Sequence, residues 1–232
     1  MLIEPELEDV SIILLGDFNP PIFNPEWLAR HKIVGEQAAF ESKINIIHPD
    51  ISQFSVGSIE FVVERHRFQL LVRTAPFVRI LDVVSKAFRE FLPHTPIRQF
   101  GINRSIHFSV GTETIRNAIV RKLAPLEPWG EWGVQISKGS GELRGGMLNL
   151  SMFEQQMLEK FRRKITASVQ PSIGIPHSSG IFVGVNDHHE PIEPPLSPRE
   201  LLEMLESSFE SSLDNSLWII EKVMALKETV NV

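Results

Sequence analysis

Four consecutive polar residues, Asp187-His188-His189-Glu190, form the cluster of this chain whose side chains are typical ligands of a transition metal. Zinc needs three or four ligands that converge on one point. Neighbouring residues of a strand point to opposite faces, so His188 and His189 could bind one ion only if the strand had ended before them. We therefore predict a strand end with solvated histidines and no bound metal. In the alternative, a metal or general-base site, Asp187, His188 and His189 are the candidate ligands and His107 joins from another strand.

Arg104 is a second candidate for ligand binding because it interrupts an otherwise apolar strand face. From Phe100 to Val110 the even positions are apolar except Arg104, whereas the odd positions are small or polar. A buried arginine needs a carboxylate or carbonyl partner, so a structural pairing is the expected role. Anion recognition together with Asn103 and His107 is the alternative, although alternation places those two residues on the opposite face.

Three consecutive basic residues, Arg162, Arg163 and Lys164, lie in the most basic part of the chain. Residues 98–170 contain 11 basic and 6 acidic residues, although the whole chain has a net charge of −6. We expect these side chains to lie on solvated strand and helix faces. The alternative is a cationic face for a phosphate group or an acidic partner.

Trp129 and Trp132 are the remaining candidates for binding, and they lie close together in a PWGEWG segment. We predict that they pack in the core, with an exposed stacking platform as the alternative. The sequence contains no phosphate-binding loop and no nucleophile elbow, and it has no cysteine and no tyrosine. We therefore predict no catalytic residue and no cofactor.

The elements that position these residues follow the same order twice. Residues 1–92 are predicted to form strand, helix, three strands and helix. The segments are a strand at 11–15, a helix at 25–31, strands at 44–47 and within 59–74 with a reversal near 65–66, and a helix from 76 to about 91.

Residues 97–232 are predicted to form strand, helix, three or four strands and a long helix. The segments are a strand at 100–110, a helix capped by Thr112, strands at 133–136, 143–152, 161–169 and 181–186, and a helix that begins at a Ser197–Glu200 capping box. The predicted fold class is α+β. Two pseudo-duplicated halves form a long, curved antiparallel sheet with helices on one face.

This order of elements resembles the saddle of TATA-binding-protein-like folds, in which each half is a strand, a helix, a run of antiparallel strands and a second helix. The resemblance implies a sheet face that contacts a ligand, often nucleic acid. The face predicted here contains Asn103, Ser105 and His107 and lacks the apolar wedges that kink DNA, so we do not expect DNA bending.

Three short segments, GINRSIHF (101–108), LAPLEPW (123–129) and VNDHHE (185–190), are similar to segments of a sporadically distributed family of uncharacterised bacterial proteins. The similarity implies a bacterial or phage source and carries no particular activity.

The last helix is predicted to be unusually long, and Leu213, Leu217, Ile220 and Met224 lie on its apolar face. We expect this face to form an interface with a second copy or with another protein. The favoured function is therefore a non-catalytic interaction module, a homodimer or a subunit of a small bacterial complex.

Two alternative functions remain open. The first is binding of nucleic acid or nucleotide through the sheet face and the basic 98–170 region, and the second is a histidine-centred, metal-dependent hydrolase. Because the chain shows no secretion signal at its start and no apolar run long enough to span a membrane, we expect a cytoplasmic location.

Overall fold

The computed structural model describes residues 4–138, 145–192 and 196–230. These residues form an α+β fold built on one long, open, antiparallel sheet. Its nine described strands lie in the order β2-β3-β4-β5-β1-β6-β9-β8-β7. The strands are β1 (Leu7–Gly16), β2 (Lys43–Ile47), β3 (Ile51–Val56), β4 (Ile59–Glu64), β5 (Arg67–Val72), β6 (Ile97–Ser109), β7 (Leu150–Met157), β8 (Phe161–Pro171) and β9 (Gly180–Pro191).

The helices lie on one face of this sheet, and we refer to the opposite face as the open face. They are α1 (Pro25–Arg30), α2 (Glu36–Phe40), α3 (Val78–Lys86), α4 (Glu113–Leu123), α5 (Gly130–Lys138) and α6 (Pro198–Met224). A π-helical turn, Ala87–Phe91, extends α3. Among the described residues, no helix is both long and apolar enough to cross a membrane.

The two predicted halves meet where β1 pairs with β6. On one side of this pair lie β5, β4, β3 and β2, and on the other side lie β9, β8 and β7. Each half therefore places its first strand at the centre of the sheet and adds its later strands outwards in reverse order. This arrangement confirms the predicted α+β fold with its long antiparallel sheet.

Two hydrophobic clusters fill the space between the sheet and the helices. Phe100 and Ile102 of β6 belong to the first cluster, whereas Ile106 and Phe108 of the same strand belong to the second. Arg104 lies between them on the same face. The residues of α6 follow the same division, because Leu205 and Phe209 pack in the first cluster and Ile220 and Met224 pack in the second.

Helix α6 begins as predicted. The Ser197 hydroxyl accepts a hydrogen bond from the backbone N–H of Glu200, and the Glu200 carboxylate accepts one from the backbone N–H of Ser197. The helix has 27 residues and is therefore about 40 Å long. Its middle faces the sheet with two buried serines, Ser212 and Ser216.

Three predictions about the elements were wrong or incomplete. Residues 133–136 form part of helix α5, not a strand, because a four-residue window of mixed pattern fits either period. The strand predicted at 143–152 begins at Leu150 and ends at Met157, and positions 143 and 144 lie outside the described residues. Strand β3 was not predicted, because Pro49-Asp50 suggested that the chain left the sheet there.

Candidate functional site

The candidate residues of β6 lie on two different faces of the sheet, as alternation predicted. Asn103 and His107 lie on the open face, and Arg104 lies under the helices. Asn103 donates to the Ser11 hydroxyl over 3.2 Å and accepts a hydrogen bond from the Asn186 amide. The Ser105 hydroxyl, on the same face, donates to Asp9 over 2.7 Å. The centre of the open face is therefore a hydrogen-bonded row of small polar side chains that extends across β1, β6 and β9.

Arg104 has the carboxylate and carbonyl partners that the sequence predicted. Its Nε donates to the Glu8 carboxylate over 2.7 Å, and Nη1 donates to the backbone oxygen of Leu213 over 3.2 Å. The guanidinium also lies 5.7 Å from the ring centroid of Phe77. With its side chain 12% exposed and its donors occupied, Arg104 has a structural role between sheet and helix.

His107 contacts Ser172, which follows β8, and Phe182, which lies opposite it in β9. Its Nδ1 lies 2.7 Å from the Ser172 hydroxyl, and its ring lies 4.8 Å from that of Phe182. Burial lowers the pKa of His107, against the opposing charge of Asp9. The imidazole is therefore held in its neutral form more strongly than a solvated histidine.

The three consecutive basic residues do not form a single cationic face. Arg162 and Lys164 lie on the open face, where Arg162 forms an ion pair with Glu190. The Lys164 ammonium lies 4.8 Å from the ring centroid of Phe153. Arg163 points to the helix side and pairs with Asp187. Alternation along β8 thus divides the run between two faces, and two of its three charges are paired with carboxylates.

Asp187 is the centre of a buried polar cluster, not part of a solvated strand end, so that prediction was wrong. Arg163 donates to its carboxylate through Nη2 over 2.6 Å and through Nε over 2.9 Å, and the Ser212 hydroxyl donates over 2.5 Å. Burial acts to raise the pKa of Asp187, but the hydrogen bonds from Arg163 and Ser212 and the nearby His189 outweigh it. They hold the pKa of this carboxyl well below its usual range.

His189 is buried beside this carboxylate. Its ring is stacked between Phe100 and Phe161, with centroid distances of 4.5 Å and 5.4 Å. Nε2 lies 3.1 Å from the Asp187 carboxylate, but the geometry is not that of a hydrogen bond. Neither ring nitrogen has a hydrogen-bond partner among the described residues.

The candidate metal ligands do not converge. His188 lies on the open face and His189 under the helices, because both belong to the continuous strand β9. Burial lowers the pKa of His188. Within residues 4–138, 145–192 and 196–230, no group of three or more histidine and carboxylate side chains is arranged to hold a metal ion.

Trp129 and Trp132 lie on the surface, so the core packing predicted for them was wrong. Their side chains are 58% and 56% exposed and meet edge to face, with centroids 5.2 Å apart. They belong to a 3-10 turn and to α5, which pack tightly together. A Cβ at Gly133 would come within 2.1 Å of the Leu126 backbone oxygen.

The predicted interface on α6 is largely covered by the chain itself. Ile220 and Met224 are buried in the second cluster, and Leu213 and Leu217 are partly buried. The exposed apolar residue in this part of the helix is Trp218. A partner could therefore reach little of the face that the sequence suggested.

Strand β7 is a feature that the sequence analysis did not single out. Among the described strands, it pairs with β8 alone, so it forms one edge of the sheet. Seven of its eight residues are exposed. Met152, Phe153 and Met157 are 68%, 68% and 62% exposed, which places apolar side chains on both faces of the edge. The pairing register with β8 is unbroken from Leu150 to Met157.

The opposite edge, β2, differs from β7 in three respects. It is five residues long, it begins with Lys43, and its register with β3 shifts between Ile44 and Ile46. Short length, lysine and bulges are devices that prevent an edge strand from pairing with another chain. Strand β7 has none of the three.

Comparison with protein-family models and with curated protein sequences finds no match to this chain.

Proposed function

We propose that the protein is a non-catalytic interaction module that binds a protein strand along β7. The observation that carries the proposal is an eight-residue edge strand with exposed Met152, Phe153 and Met157 and without the short length, lysine and bulge of β2. An edge strand presents a row of backbone donors and acceptors, and the structure that satisfies all of them is another strand.

The side chains of β7 supply the apolar contribution to such binding. Burying a methionine or phenylalanine side chain that is otherwise exposed contributes about 1.5–3 kcal/mol. Met152 lies on the helix side of the strand, whereas Phe153 and Met157 lie on the open side. An added strand would therefore gain apolar contacts on both of its faces.

Binding of nucleic acid through the open face has less support. Among the basic side chains of 162–164, Arg162 is paired with Glu190 and Arg163 lies on the other face. The polar side chains at the centre of the face already bond to one another. A metal-dependent hydrolase has less support as well, because His188 and His189 point in opposite directions from β9.

The experiment compares the double variant Met152→Lys/Phe153→Lys with a matched control, Phe40→Lys. Phe40 is 87% exposed and lies in α2, which is separate from β7. Each tagged protein is used to isolate complexes from an extract of the natural host. In a parallel experiment, each tagged protein is mixed with a second copy of the chain that carries a different tag, and co-purification of the second copy is measured. We expect wild type and Phe40→Lys to retain a stoichiometric protein partner, and the double variant to lose it.

Retention of that partner by the double variant would contradict the proposal, and so would the absence of any partner with wild type. Far-ultraviolet circular dichroism and thermal unfolding show whether the variants remain folded. Both substituted side chains are exposed, so the free energy of unfolding should change by no more than about 0.5 kcal/mol.

A further inference from the structure

We infer that the partner of β7 is β7 of a second copy, paired antiparallel around a two-fold axis at Phe153. This inference rests on the proposed function and specifies its partner. It joins two nine-stranded sheets into one continuous sheet and leaves each chain's open face on the same side.

The difference between the two sheet edges favours a closed pair of copies. If both edges were able to pair, successive copies would add to each other without limit. Here β2 is short, bulged and begins with a lysine, whereas β7 is long and regular. One competent edge for each chain permits an isologous dimer and no further growth.

Strand geometry restricts the register of this pair. Opposed residues in an antiparallel pair lie on the same face of the sheet. Even-numbered residues of β7 lie on one face and odd-numbered residues on the other, so even positions must face even positions and odd positions must face odd positions. Two registers preserve the longest overlap. One is centred on Phe153 and pairs residues 150–156, and the other is centred on Glu154 and pairs residues 151–157.

Charge selects between these two registers. Glu154 is the only charged residue of β7, and centring on it would place two carboxylates directly opposite each other, which is destabilising. Centring on Phe153 places Glu154 opposite Met152 and Ser151 opposite Gln155. Each Glu154 also lies near its own Arg163, whose pKa it helps to raise together with the stronger bond to Asp187.

The register centred on Phe153 also gives the better apolar contact. Phe153 would face Phe153 on the open side, and directly opposed aromatic pairs stabilise sheets relative to alanine pairs. Lys164 lies over the ring of Phe153 in each copy. The two rings would therefore meet at the centre with a cation on either flank.

The chain contains no cysteine, so one introduced thiol reports the register directly. Directly opposed residues have Cα atoms about 4.5–5.5 Å apart, within the roughly 4.4–6.8 Å range of disulfides. We expect Phe153→Cys to form a disulfide-linked dimer of twice 26.3 kDa under mild oxidation. Gln155→Cys should react at least about tenfold more slowly, since its own copies are not opposed.

Wild-type protein is examined in parallel by sedimentation over a concentration series. An eight-residue strand covers only part of the roughly 800 Å² that each partner of a stable complex usually buries. We therefore expect a dimer that dissociates on dilution and amide protection at 150–157 that rises with protein concentration. Met152→Lys/Phe153→Lys should be monomeric throughout, and Phe40→Lys should behave like wild type.

Each contrary outcome has its own meaning. Faster cross-linking between Met152→Cys and Gln156→Cys copies than between Ser151→Cys and Gln155→Cys copies would overturn the register, and both pairs keep Phe153 and Glu154 in place. A wild-type monomer at every concentration, with no cross-linking of Phe153→Cys, would overturn self-pairing. If the Met152→Lys/Phe153→Lys variant then lost a different protein partner from the extract, the proposed function would stand and the inference would fail.

Discussion

The carboxylate of Asp187 and the imidazole of His189 lie 3.1 Å apart on one face of β9, and both side chains are almost completely buried. The carboxylate has three good hydrogen bonds, whereas neither imidazole nitrogen has one among the described residues. The charge of Asp187 is therefore balanced by Arg163 and stabilised by Ser212 from α6. His189 acts mainly as an aromatic ring between Phe100 and Phe161.

Replacing Asp187 by Asn should destabilise the fold by about 3 kcal/mol, because Arg163 would lose the charge of its buried carboxylate partner. Urea unfolding followed by circular dichroism measures the change. Asp214→Asn, an exposed residue of α6, is the control and should change stability by no more than about 0.5 kcal/mol. A loss as small for Asp187→Asn as for the control would show that the cluster contributes little.

The stabilisation by Asp187 should also depend on pH. The pKa of Asp187 is lower in the folded state than its unfolded value of about 3.9. The stabilisation is therefore fully present when the pH is above the unfolded-state pKa. It decreases as the pH falls towards the folded-state pKa. The difference in stability between wild type and Asp187→Asn should therefore shrink between about pH 5 and pH 2, and a constant difference would contradict the low pKa.

The two histidines of the open face should produce a second pH dependence. Burial lowers the pKa of His107 and of His188, so the unfolded chain binds protons more readily than the folded chain below about pH 6.5. Wild-type stability should therefore fall as the pH decreases from about 7 to 5. In urea titrations, His107→Gln and His188→Gln should each reduce the dependence of the unfolding free energy on pH. An unchanged dependence would show that the substituted histidine does not contribute to it.

Arg104 and Glu8 should show strong energetic coupling. Arg104→Met leaves the partly buried carboxylate of Glu8 unpaired and should cost roughly 1–3 kcal/mol. The double variant Glu8→Gln/Arg104→Met removes that charge and should be destabilised by less than the sum of the two single changes. Additive losses in a double-mutant cycle would show that the two side chains are not coupled.

Nucleic-acid binding offers a test of the alternative function. We expect no appreciable binding of single-stranded RNA or duplex DNA at about 50 mM salt, since in the described run 162–164 Arg162 is paired with Glu190 and Arg163 lies on the other face. Fluorescence anisotropy with labelled oligonucleotides measures it. Binding that weakens steeply towards about 200 mM salt and is reduced in Lys164→Ala would favour the alternative instead.

Local patterns predicted much of the fold. Alternation revealed β4, β5 and β6, and the Ser197–Glu200 capping box marked the start of α6. The four residues 133–136 were too few to distinguish a helix from a strand, and Pro49-Asp50 concealed β3.

The candidate site was harder to predict, because its contacts join distant parts of the chain. Arg104 was expected to find a carboxylate, but nothing in the neighbouring letters identifies Glu8, 96 residues away. Likewise, the partners of Asp187 come from β8 and α6. The exposure of β7 depends on the order of the strands in the sheet, which the sequence of β7 does not encode.

Helix α6 has a mechanical consequence for the sheet. Its first half is anchored in one hydrophobic cluster and its second half in the other, and Leu213 is tied to Arg104 between them. Bending the sheet along the β1–β6 junction would pull one end of the helix out of its cluster or break that hydrogen bond. The helix thus resists bending at the junction, so the two halves should tumble in solution and withstand an applied force as one rigid body.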